Sequence, residues 1–88
     1  MSKPYLEVTY RQGKPFAAYL YLHRRPGDKA AATHREGNIL VDYSADHRPI
    51  GIEFTRLGAV DITAVNRVLE AANQAAVSAN DLAPLSAA

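Results

Sequence analysis

The chain has 88 residues, 48% of them hydrophobic and 22% charged, with five Gly, five Pro and no Cys, the composition of one small globular domain. Two domains are excluded, and a domain of this length buries only about 60 to 65% of its unfolded surface, which leaves little for an enclosed catalytic pocket. A formal charge of +1 exerts no overall pull toward nucleic acid, and without cysteine there is no disulfide framework, no thiolate nucleophile and no thiolate-bound zinc.

Met1-Ser2-Lys3-Pro4-Tyr5 lacks an apolar run of signal-peptide length, and no segment approaches the ~20 apolar residues of a membrane span; the expected location is the cytoplasm. Charge is uneven along the chain. Residues 1 to 36 carry seven basic and three acidic side chains, and residues 37 to 88 carry three basic and six acidic, so one end of the fold is expected to be locally basic.

Leu6, Val8 and Tyr10 alternate with Glu7 and Thr9, the period of a half-buried strand, and Gln12-Gly13 supplies turn chemistry after it. The next strand, Phe16 to Leu22, is apolar on both faces, so the parity of the hairpin loop decides which face is buried. An odd loop sets Val8 opposite Ala18 and Leu6 opposite Leu20, uniting the aliphatics and turning Tyr19 and Tyr21 outward; a two-residue turn makes those tyrosines core. The odd loop keeps more apolar side chains together and is the expectation.

Arg24-Arg25-Pro26-Gly27-Asp28-Lys29 reads as a polar loop, and Ala30 to Glu36 as a weak or edge strand. Two clear strands follow, Asn38 to Tyr43 and Ile50 to Thr55. A turn centred on Asp46-His47 pairs Val41 with Ile52 and Ile39 with Phe54. From Asp61 the period changes: Ile62, Val65, Leu69, Ala72 and Ala76 recur at three and four, predicting one amphipathic helix with Asp61 as its N-cap. Beyond Asn80, the Pro84-containing tail is expected to fray.

The segment Gly37 to Glu53 resembles a family of small, mostly bacterial proteins called domain of unknown function twenty-two eighty-three. Tyr10, Ala18-Tyr19-Leu20, Val41-Asp42-Tyr43 and Gly51-Ile52-Glu53 match its pattern over about residues 5 to 56. The chain departs from it where Arg11-Gln12-Gly13-Lys14-Pro15 replaces an acidic loop and His47 replaces a turn Gly. The resemblance implies a curved antiparallel sheet with a packed helix and a small partner module, in some cases encoded beside toxin-like genes; it carries over no catalytic residue.

Several constellations bear on chemistry. Asp42 and Glu53 fall on one sheet face as diagonal neighbours about 7–8 Å apart, the spacing of an acid and a base in inverting glycosidases, yet two solvated carboxylates on an open face are ordinary surface. His34 and Glu36, with His23 across a loop, lack the regular convergent spacing of a zinc site, so no metal and no cofactor is expected. The five glycines are scattered singly, without a phosphate cradle, and the serines sit in termini or turns. The informative feature is the outward set Tyr5, Tyr19, Tyr21 and Leu40, since tyrosine offers large contact area at low rotamer cost and is enriched at interfaces.

These readings combine into an α+β domain over residues 1–80 with a frayed tail over 81–88. Four or five antiparallel strands form a small curved sheet, and one C-terminal amphipathic helix packs on one face. The expected core is Leu6, Val8, Leu20, Leu22, Ile39, Val41, Ile52, Phe54, Ile62, Val65 and Leu69. The expected function is a non-enzymatic interaction module, as a homodimer or as the binding half of a regulatory pair. The alternative is single-stranded RNA, its bases stacked on the tyrosines and its phosphates held by Arg24, Arg25 and Lys29.

Overall fold

In the first hairpin, Tyr5–Arg11 (β1) and Lys14–Tyr21 (β2) are joined by Gln12-Gly13, both with positive φ, 53° and 80°, as a two-residue turn matched to strand twist requires. The computed structural model describes residues 4–87. The loop is therefore even, not odd as expected, yet Leu6 faces Leu20 and Val8 faces Ala18. The pairing shifts between Thr9, opposite Ala17, and Tyr10, opposite Pro15, so Phe16 is an extra residue and the bulge restores the parity that the turn alone would have reversed. Phe16 is accordingly not in the core: it is 55% exposed, with the Arg11 guanidinium 4.1 Å from its ring centroid.

The weak strand is Ala32–Glu36 (β3), exposed along its whole length. Ile39–Tyr43 (β4) and Pro49–Phe54 (β5) pair Val41 with Ile52 and Ile39 with Phe54 as expected, but the register shifts between Asp42, opposite Gly51, and Tyr43, opposite Pro49, so Ile50 is an extra residue and the turn is not centred on Asp46-His47. Ser44 closes their loop: its N–H donates to the Arg48 carbonyl at 2.9 Å and its own carbonyl accepts from the His47 N–H at 3.0 Å. His47 holds φ at 64°, the left-handed conformation that a turn glycine would take without strain. All strands join one open antiparallel sheet of order β1-β2-β5-β4-β3, which leaves β5 central and β1 and β3 at the edges.

A 3₁₀ turn, Leu57–Ala59, leads to the helix Ile62–Ala71 (α1). Asp61 caps it as expected, its carboxylate accepting from the Ala64 N–H at 3.1 Å. The helix stops well short of Ala76, because Asn73 turns left-handed at φ 56°. The Asn73 N–H then bonds the Glu70 carbonyl and the Gln74 N–H bonds the Leu69 carbonyl at 2.8 Å, a glycine-type helix stop for which asparagine is the usual substitute. The Asn66 side chain next holds both backbone groups of Val77, at 2.9 and 2.8 Å, folding the chain back.

The described part of the tail does not fray. Asn80–Ala87 is a 3₁₀ segment, a conformation in which residues three apart share one side, and Leu82 and Leu85 are both buried there. Ser78 and Asp81 cap its start reciprocally, the Ser78 N–H to the carboxylate at 2.7 Å and the Asp81 N–H to the hydroxyl at 3.3 Å. The core unites Leu20, Leu22, Ile39, Val41, Ile52, Phe54, Val65 and Leu69 with Ala18, which was expected on that face, and with the unforeseen Val68, Val77, Leu82 and Leu85, while Leu6, Val8 and Ile62 lie partly buried at its margin. The helix and tail cover one face of the sheet; the other is open.

Candidate functional site

On the open face the register builds two rows of side chains across all five strands. One runs Tyr5, Tyr21, Gly51, Asp42, Thr33 and the other Glu7, Tyr19, Glu53, Leu40, Arg35, each in the order β1, β2, β5, β4, β3. The expected set Tyr5, Tyr19, Tyr21 and Leu40 is thus brought to one surface, with Tyr5 61% exposed and the other three half-buried. The Tyr19 and Tyr21 rings meet edge-on with centroids 4.7 Å apart, and Tyr5 lies 5.7 Å from Tyr21.

Tyr19 reaches across β5 to β4. Its hydroxyl donates to Asp42 Oδ2 at 2.6 Å, and the side chain fills the space above Gly51, where any Cβ would collide with its ring and hydroxyl. Thr33 donates to the other oxygen of Asp42 at 2.6 Å. Burial, followed by the bond to the Asp42 carboxylate and its charge, pushes the Tyr19 phenol well above its ordinary value, so the hydroxyl stays a donor. Tyr21 donates to Glu7 Oε1 at 3.4 Å.

The pair Asp42 and Glu53 is diagonal, as expected. Asp42 is engaged by Tyr19 and Thr33, a cross-strand network that ties β2, β3 and β4 together.

The loop residues Arg24, Arg25 and Lys29 separate. Arg24 turns back to the tyrosines, its Nε donating to the Ile50 carbonyl at 3.1 Å and its Nη2 to the Tyr19 hydroxyl at 3.4 Å, with the guanidinium 5.3 Å from the Tyr21 ring centroid. The Arg25 N–H donates to Asp28 Oδ2 at 2.8 Å and its guanidinium lies 4.0 Å from Asp46. Asp28 in turn takes a bidentate bond from Arg48 at 2.7 and 3.0 Å, and Arg48 also donates to Asp46 at 2.8 Å. The Arg48 bonds hold both carboxyls below the usual range, helped by the Arg25 N–H at Asp28 and by Ser44 at Asp46, and the guanidinium is raised in turn. Lys29 is exposed. Asp28 and Asp46 are thus clasped by Arg25 and Arg48, while Arg24 turns to the tyrosine face and Lys29 stays exposed.

His34 and Glu36 share one side of β3, where His34 meets Tyr43 edge-on at 5.3 Å in a shallow open groove. His23 lines a different cavity, beside Arg25 and Gln74, so the three are not brought together. Among the described residues no three His, Asp or Glu side chains are placed to hold a metal ion, and no helix is long and apolar enough to cross a membrane.

Sequence reasoning missed Glu7, Thr33 and Gly51 as parts of this face, and placed Arg24 in the loop alone. Glu7 was legible, since the register that turns Tyr19 outward turns Glu7 outward beside it. No family model matches the chain, and neither does any curated protein or solved structure.

Proposed function

We propose that the chain is a non-enzymatic interaction module whose open sheet face pairs with a second copy of the same chain. The observation that carries this reading is a contiguous tyrosine cluster on the one sheet face that helix and tail leave uncovered, with Tyr5 61% exposed at its margin. Burying such a surface removes apolar ring area from water at little rotamer cost, while the phenol oxygens keep hydrogen-bond partners. Acidic and basic side chains on the same face support a partner that is itself of mixed charge, as a second copy is. A cytoplasmic setting belongs to this reading, and the absence of cysteine is consistent with it.

Stacked single-stranded RNA finds less support. Glu7, Asp42 and Glu53 share the face and repel phosphate, and Arg24 is committed to Ile50 and Tyr19.

The test is the mass of the purified protein by light scattering and native mass spectrometry across a dilution series. The expected species is twice 9.6 kDa, reduced to the single chain by Tyr5→Ser with Tyr21→Ala while circular dichroism stays unchanged. A single-chain mass at every concentration overturns the reading. So does RNA retained at low salt, where phosphate contacts are strongest, or a complex stoichiometric with a different protein.

A further inference from the structure

The two rows of the open face have an order that a self-paired sheet can use, and the inference drawn from it rests on the pairing proposed above. The charged ends of one row are opposite in sign: Glu7 on β1 and Arg35 on β3. Both sit two strands from β5, the central strand, and therefore at equal lateral distance from it, about 9–10 Å at ordinary strand spacing.

We infer that two copies stack face to face about a two-fold axis running along β5, so that Glu7 of each copy meets Arg35 of the other. A rotation about that axis lays β1 on β3 and β2 on β4 of the second copy. The same operation sets the Tyr19 position on β2 against Leu40 on β4, while the Tyr19 ring, which lies over Gly51, comes close to the axis. It sets Tyr21 against Asp42, each already hydrogen-bonded within its own copy, and Tyr5 against Thr33. The charged ends are matched, whereas at the axis Glu53 meets itself and so does the Tyr19 ring that covers Gly51. Stacking with the axis across the strands instead lays β1 on β1 and β3 on β3, which places Glu7 over Tyr5 and Arg35 over Thr33 and gives neither charge an opposite partner. Sheets packed face to face keep their strands roughly aligned at a spacing near 10 Å, a gap that long side chains such as Glu and Arg span. Opposite charges brought together across an interface select register and partner more than they add affinity, which is the role this order fits.

The arrangement is tested by reversing the charges. Glu7→Arg alone places two arginines at each contact and Arg35→Glu alone places two glutamates there, so each variant is expected to pair about tenfold more weakly than the parent. In an equimolar mixture every contact between unlike variants is again Glu with Arg. Native mass spectrometry is then expected to find the mixed dimer well above the half share of random assortment. Glu53→Gln removes the like-charge contact at the axis and is expected to tighten pairing, whereas Glu70→Arg, on the exposed side of α1, leaves it unchanged. Both Glu7 and Arg35 are exposed, and circular dichroism verifies that each variant is folded. If the parent protein is a single chain throughout, the pairing itself is wrong. If the parent pairs but the reversals have no effect and the mixture assorts at random, the pairing stands and this arrangement is overturned.

Discussion

A methyl group at position 51 would occupy space already filled by the Tyr19 ring and hydroxyl. Gly51 does not take a positive φ, so its requirement is for room: a side chain from β2 crosses β5 there to reach Asp42 on β4. Gly51→Ala is expected to displace Tyr19 and cost about 1–3 kcal/mol by overpacking. The same substitution in a Tyr19→Ala background is expected to cost far less, a coupling that urea unfolding of the four-member cycle measures. Equal costs in the two backgrounds would remove Tyr19 as the reason for glycine. Arg48 acts comparably on the other side of the sheet, holding Asp28 and Asp46 below their ordinary values. For carboxyls depressed in the folded state, the linked stability is present above the unfolded value, near pH 4, and is lost as pH falls through the folded values. Unfolding midpoints for Arg48→Met should therefore lie below those of the parent at neutral pH and converge with them in acid; a constant offset would show that the clasp acts through packing alone.

At the scale of elements, the hairpin and the tail both depart from simple periodicity for local reasons. In the hairpin, an even turn and one bulged residue together give the aliphatic alignment that an odd loop would have given. The pairing of Leu6 with Leu20 was legible because burial demands it, whereas the device producing it was not, since a bulge at Phe16 leaves no signature distinct from a longer loop. In the tail, Asn73 ends a helical stripe that nominally continues to Ala76. The asparagine is a readable stop signal, and Ser78 with Asp81 is a readable cap, but a Pro-containing segment of small residues resembles a frayed end until its leucines have a sheet to pack on. Leu85, only 1% exposed, is the decisive residue: Leu85→Ala is expected to cost about 2–5 kcal/mol, measured by chemical denaturation. A cost within experimental error would return this segment to the status of a loose tail.

For the whole molecule, the basic side chains of the first half are delivered to several different surfaces. Arg11 lies against Phe16, Arg24 on the tyrosine face, and Arg25 beside Asp46, while Arg48 from the acidic half joins Asp28. Charges close in sequence are dispersed because each strand delivers them to a different edge or face. The same dispersal places Glu7 and Arg35 at opposite margins of one surface. The amino-acid order alone determined the α+β class, a sheet of four or five strands, the Val41–Ile52 and Ile39–Phe54 pairs and the helix start, because alternation, turn chemistry and capping are local and each is repeated over several residues. It favoured the tyrosines outward, through the demand that aliphatics share one face, but by way of an odd loop where the structure has a two-residue turn and a bulge. The tertiary structure decided the strand order that makes β5 central, the burial of Leu82 and Leu85, the crossing of Tyr19 over Gly51 and the capture of Arg24. Those features depend on which distant segments become neighbours, and that is settled by the closing of the core over the whole chain, not by the pattern within any one segment.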